Sequence, residues 1–198
     1  SERGVRTPDA GGQAIDLTVD AARLIGFNGL DLTGVTARAA MREGILASLD
    51  AKGQLGGRAA LEAKLTPSGA GKRSLTVTTD NAGSLLRFAD LYGQVSGGRA
   101  ELSANFTGPG RATGVLLARD FQLDDSDKPR AADRAPPAKF EKFVTRYSLR
   151  DGKVEVDDAV LRGDTQGATA AGTIDLDARR LSIVGTYIPA YRLNNLIA

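Results

Sequence analysis

Apolar and polar side chains alternate along most of this chain. Ile15, Leu17 and Val19 are followed by Ala59, Leu61, Ala63 and Leu65, by Leu75 and Val77, and by Ala100, Leu102, Ala104 and Phe106. The residues between them, among them Asp16, Thr18, Asp20, Glu62, Lys64, Glu101, Ser103 and Asn105, are polar. A period of two puts each apolar set on one face of a strand and leaves the other face wet. The pattern returns in Val154 and Val156, Ile174 and Leu176, and Leu181 and Ile183, with a break of phase at Asp157-Asp158-Ala159 that predicts a bulge or bend. Asp151-Gly152 supplies the positive φ values of a tight hairpin turn. Gly34, Gly114, Gly172 and Gly185 fall inside strand patterns, where glycine marks bulges or sharp curvature. The predicted fold is mainly β: a single elongated, strongly curved antiparallel sheet whose apolar face forms a groove.

Two segments depart from this pattern. Residues 80 to 93 predict a short helix centred on 81–92, with Asp80 as N-cap, Ala82, Leu85, Leu86 and Ala89 at helical spacing, and Gly93 as terminator. Pro189 is suited to the first turn of a second helix through Tyr191, Leu193 and Leu196. Residues 124 to 139 are charged, carry three prolines and lack periodicity, which predicts a flexible loop. Gly56-Gly57-Arg58-Ala59 recurs 41 residues on (98 minus 57) as Gly97-Gly98-Arg99-Ala100, which suggests stacked hairpin units, each opening after a Gly-Gly turn. The 198 residues suit one large all-β domain or two small ones, and one domain over 1–198 is preferred.

Composition narrows the chemistry. Only 5% of residues are aromatic, and Trp and Cys are absent, so a thin β layer fits better than a thick core. Without His or Cys there is no imidazole-assisted nucleophile, no thiolate and no ordinary zinc site, and no cofactor is implied. Asp124-Asp125 and Asp157-Asp158 are the best carboxylate pairs, but neighbours on a strand point to opposite faces and do not converge on a substrate. No catalytic or metal site is expected, and the chain is read as a non-enzyme. The 26 basic and 24 acidic residues are interspersed, which argues against nucleic acid as a partner. Asn105-Phe106-Thr107 falls on an ordinary strand and is assigned no role, while Arg179-Arg180 reads as a solvated turn that could also touch an anionic headgroup. No apolar run reaches the roughly 20 residues that cross a bilayer, so if the protein works at a membrane its anchor is expected outside this chain.

The apolar face needs a cover. In a sandwich a second sheet supplies it; in an open curled sheet acyl chains would. The alternation does not choose between them.

Several runs resemble the C-terminal region of AsmA-like proteins. These are Thr79-Asp80-Asn81-Ala82-Gly83-Ser84-Leu85-Leu86-Arg87-Phe88, Val95-Ser96-Gly97-Gly98, Asp120-Phe121-Gln122-Leu123, the Asp151-Gly152 hairpin, Gly172-Thr173-Ile174-Asp175-Leu176, and Gly185-Thr186-Tyr187-Ile188-Pro189-Ala190-Tyr191-Arg192-Leu193-Asn194. The resemblance covers about residues 75 to 198, and the first 70 residues match in style alone. Relatives carry apolar, helix-forming sequence where this chain has 124–139, and they continue into an apolar tail past the position of Ala198. The resemblance implies a periplasmic segment of an inner-membrane-anchored protein of Gram-negative bacteria that conducts phospholipid along a β groove between the two membranes. Its expected partners are phospholipid or another acyl-chain lipid, the membrane and envelope proteins. On that reading the lining comprises Leu102, Ala104, Phe106, Val115, Leu117, Val154, Val156, Ile174, Leu176, Leu181 and Ile183. The rival is a non-carrier β scaffold that assists outer-membrane assembly through protein contacts.

Overall fold

A computed structural model describes residues 14–69, 71–124, 137–164 and 166–189. Eleven strands follow one another along the chain: β1 (Ile15–Ile25), β2 (Asp31–Arg42), β3 (Ile45–Leu55), β4 (Ala59–Gly69), β5 (Lys72–Thr79), β6 (Val95–Gly108), β7 (Arg111–Leu123), β8 (Ala138–Arg150), β9 (Lys153–Gly163), β10 (Gln166–Asp175) and β11 (Arg180–Pro189). One helix, α1 (Ala82–Phe88), lies between β5 and β6. The strands form a single curved antiparallel sheet in sequence order, β1 to β11. No second sheet faces it among the described residues.

Tight turns build this meander. Glu43-Gly44 (φ 53° and 74°) and Asp151-Gly152 (φ 48° and 77°) both place two left-handed residues between paired strands, which matches the twist of a hairpin. The Asp157-Asp158 break is a bulge on β9. The β8 register slips between Arg146 and Tyr147, and the β10 register slips between Ala170 and Gly172, so β9 carries an extra residue against both neighbours.

The two Gly-Gly-Arg copies differ in role. Gly56-Gly57 (φ 57° and 73°) is the turn between β3 and β4, as expected. Gly97-Gly98 has the same left-handed pair (φ 65° and 79°) but lies inside β6, beside Asp120 of β7, itself at φ 56°. The second copy therefore kinks a continuous strand instead of opening one, and the copies are not equivalent hairpin units.

Helix α1 is shorter than the spacing predicts. Its N-cap is Asn81, whose side chain accepts the Ser84 N–H at 2.9 Å, while the Asn81 N–H donates to the Thr79 hydroxyl at 3.2 Å. It ends at Phe88 with Ala89 as C-cap, short of the expected Gly93, because Asp90 turns left-handed, at φ 55°. The expected loop also loses its end to β8, which begins at Ala138, and residues 125–136 lie outside the described residues. Pro189 closes strand β11, and the rest of the helix expected after it lies outside the described residues.

The position of α1 reveals how far the sheet bends. At its start, Gly83 lies against the Val95 backbone of β6. At its end, the Phe88 ring lies against Gly26, the Phe27 N–H donates to the Phe88 carbonyl at 3.2 Å, and Asn28 Nδ2 donates to the Arg87 carbonyl at 3.0 Å. In a flat sheet β2 and β6 would stand about 19 Å apart, four spacings of about 4.8 Å. Seven helical residues span about 10 Å. The helix reaches both because the sheet curls toward it, and it clamps that curl. Leu85 and Phe88 join the buried cluster of Leu32, Val35 and Leu55; Leu86 joins that of Val95, Phe121 and Phe140.

Gly26 has no room for a side chain against the Phe88 ring. Gly26→Ala is expected to lower stability by about 1–3 kcal/mol by displacing that ring. A urea unfolding midpoint equal to that of the unaltered chain would show that the clamp does not hold the curl.

Candidate functional site

Directly opposed residues of an antiparallel pair point to the same side of the sheet. From Leu102, one row crosses all eleven strands: Val19, Ala37, Ala51, Ala63, Val77, Leu102, Leu116, Thr145, Ala159, Ala170 and Gly185. Ten of these are apolar or glycine. Thr145 is the exception, and its buried hydroxyl donates to the Arg146 carbonyl at 3.1 Å. One residue along, the opposite face reads Thr18, Arg38, Asp50, Lys64, Thr76, Ser103, Val115, Arg146 and Asp158. There Arg38, Asp50 and Lys64 alternate in sign across neighbouring strands, as do Arg146 and Asp158, and such opposed pairs contribute roughly 0.2–1 kcal/mol each. The sheet is thus apolar on the side toward α1 and charged on the other.

Small side chains dominate the inner row because residues on the concave side of a bend converge. The large apolar groups collect where the helix covers them, and the Phe121 and Phe140 rings stack with centroids 5.5 Å apart. Away from α1, the inner face is bare at both edges of the sheet: Ile15 and Leu17 of β1, and Leu181 (70% exposed) and Ile183 of β11.

The register sorts the candidate lining residues. Leu102, Ala104 and Phe106 of β6 lie on the inner face, as do Val154 and Val156 of β9, Ile174 of β10, and Leu181 and Ile183 of β11. Val115 and Leu117 do not. Val115 pairs with Ser103 and Arg146, and Leu117 with Glu101, so both belong to the outer face. The run Val115-Leu116-Leu117 is apolar at three consecutive positions, so its phase is unreadable without its partners; the inward residue is Leu116. Leu176 is also displaced: it follows the end of β10, where its N–H donates to the Gly152 carbonyl at 2.9 Å, and its side chain is 54% exposed.

Two inner-face residues carry no apolar signal in the sequence. Tyr147 lies across Gly114, its register partner, and donates its hydroxyl to the Ser103 carbonyl of β6 at 3.0 Å. Gly114 leaves the room this requires, since a Cβ there would meet both the ring and the Ser103 carbonyl. Burial raises the Tyr147 phenol above its ordinary pKa. Arg73 sits opposite Phe106 on the inner side, its guanidinium 5.4 Å from the ring centroid.

The carboxylates do not assemble. Asp157 and Asp158 are exposed at the β9 bulge, Asp124 follows β7, and Asp125 lies outside the described residues. Asn105 is on the outer face, where its Oδ1 accepts from the Ser74 hydroxyl at 2.8 Å. Arg179, at φ 50°, is in the turn before β11 that the sequence assigns to it. A recess of about 670 Å³ lies on the outer side, walled by Glu62, Glu101, Thr78 and Arg119 among others. It is polar and open, as expected of a folded, hydrated surface. No helix of the described residues is long and apolar enough to cross a membrane.

Comparison with known protein families, with curated proteins and with solved structures finds no match to this chain.

Tyr147→Phe keeps the ring and removes one hydrogen bond, at an expected cost of about 1 kcal/mol near neutral pH. A phenol whose pKa is raised by folding stabilises the fold fully below its unfolded value of about 10 and loses that contribution as pH rises through the folded value. Urea titrations from pH 8 to 11 should therefore show a shallower alkaline loss for Tyr147→Phe than for the unaltered chain, and parallel curves would contradict this.

Proposed function

We propose that this chain is a segment of a lipid-conducting β groove: its inner face holds phospholipid acyl chains, its charged outer face stays in water, and it performs no catalysis. The observation that carries the reading is the single apolar row, Val19 to Gly185, in a sheet without a second layer among the described residues. Burying methylene groups there would stabilise the complex by about 0.8 kcal/mol each, whatever the headgroup, so a face without directional contacts favours broad acceptance of acyl chains. The resemblance of residues 75 to 198 to AsmA-like proteins supports the same reading. It adds the proposed setting: the periplasm of a Gram-negative bacterium, between inner and outer membranes, in a protein anchored to the inner one.

One observation favours the scaffold alternative. All ten residues of β11 are exposed, Val184 at 80% and Ile188 at 55% on its outer side, and its far edge has no partner strand among the described residues. Such an edge is a template for a strand of another protein.

Photo-crosslinking side chains at Leu116, Val115 and Val184 separate the two readings. The carrier predicts lipid adducts at Leu116, and none at Val115, one residue away on the opposite face. Protein adducts at Val184 with no lipid at Leu116 would replace the carrier by the scaffold.

A further inference from the structure

At the end of the sheet opposite α1, beside the turn carboxylates of Asp151 and Asp177, cationic side chains face one another across strands. There Arg111 of β7 stands opposite Arg150 of β8, and Arg150 opposite Lys153 of β9. Like charges placed directly across strands destabilise a sheet, and Asp175, 3.7 Å from Lys153, answers one of the three. From β3 to β11 the register places one charged side chain on the inner face, Arg73. A guanidinium on an apolar face is costly unless it is paired. Among the described residues Arg73 has no carboxylate within ion-pair distance. It donates Nη1 to the Leu46 carbonyl at 2.6 Å and rests over Phe106, which leaves most of its five N–H donors unused.

Arg73 also lines a recess of about 280 Å³ at the same end of the sheet, its walls including Ala47, Pro67 and Pro109 with Arg42 and Lys72. No acidic residue lines it. Arg42 is answered by Asp16 at 3.0 Å, while Lys72 is exposed and has no ion-pair partner among the described residues. The recess therefore offers a planar fork, a second cation and apolar walls that continue into the inner face. That combination matches an anion joined to hydrocarbon. Arg forms paired, charge-assisted hydrogen bonds with phosphate, and Lys adds a mobile point charge.

We propose that this recess holds the phosphate of an anionic glycerophospholipid whose acyl chains run along the inner face toward α1. Arg73 is the principal phosphate ligand and Lys72 its companion, and the cationic row Arg111, Arg150 and Lys153 draws the same end toward an anionic bilayer. This rests on the lipid reading above and adds a headgroup preference and a polarity to it: lipid lies headgroup-outward at the basic end.

Titrating the purified chain with dihexanoyl phosphatidylglycerol, with dihexanoylglycerol and with inorganic phosphate tests it. The unaltered chain should hold the phospholipid about tenfold more tightly than the diacylglycerol, the increment of one good charge-assisted contact. Arg73→Gln should bring the two within about twofold without weakening diacylglycerol binding, and millimolar inorganic phosphate should not displace the phospholipid. Lys72→Gln, at an exposed site, should narrow the preference severalfold and keeps the test decisive if Arg73→Gln fails to fold by circular dichroism. Equal affinities in the unaltered chain, or a preference that survives either folded variant unchanged, overturn the headgroup site and leave the carrier standing. Inorganic phosphate that binds as tightly as the phospholipid makes the recess a free-phosphate site and overturns the proposal. If neither lipid binds, the carrier reading fails and takes this one with it.

Discussion

A sheet with one apolar face and no second layer can cover that face only by bending toward it. The rest of this structure follows from that constraint. Bending brings the β1–β2 turn within reach of a seven-residue helix that starts beside β6, and the helix then holds the bend through Phe88 against Gly26, Phe27 and Asn28. Under the helix the large side chains Leu55, Phe121 and Phe140 pack as in any core. Away from it the central row of the inner face is mostly small, with Ala37, Ala51, Ala63, Ala159, Ala170 and Gly185, because converging side chains on a concave surface leave little space. A conventional core at one end and an uncovered trough along the rest are thus two outcomes of one geometry.

The same constraint explains the placement of polar groups. Outward residues face water and pair across strands by charge, as Arg38, Asp50 and Lys64 do. Inward polar groups survive where the protein itself answers them: Thr145 bonds its neighbour's carbonyl, and Tyr147 bonds Ser103 across Gly114. Arg73 departs from this rule, answered by one carbonyl and an aromatic face, with no opposite charge among the described residues. A departure from an otherwise consistent pattern is where a functional demand is expected to override stability.

How much of this the sequence discloses depends on the range of the interaction. Strand class, the Asp151-Gly152 turn and the β9 bulge are local, and alternation or a dipeptide suffices to read them. The inward phase of Leu102 or Ile174 is readable because polar neighbours flank each. At Val115-Leu116-Leu117 no polar residue marks the phase, and only the partners Ser103, Leu102 and Glu101 decide it. Gly97-Gly98 has the letters and the backbone conformation of Gly56-Gly57, yet one kinks a strand and the other reverses the chain. The helix is foreseeable from Asn81 to Phe88, but its clamp on Asn28 joins residues 59 positions apart and leaves no local trace. Arg73 and Lys72 read as ordinary surface charge until folding sets them at the end of an apolar trough.

The strictly sequential order of the eleven strands has a further consequence. Each strand pairs through its backbone only with those before and after it, and apart from α1 the bonds that skip a strand are side-chain ones such as Arg73 to Leu46 and Tyr147 to Ser103, so stability is built largely from neighbour to neighbour as in a solenoid. Folding can then spread outward from any hairpin. Two strands added or removed as a unit keep both the chain direction and the inward phase of every remaining residue. The length of such a trough is therefore an adjustable quantity, changed by whole hairpins without redesign of the strands that remain.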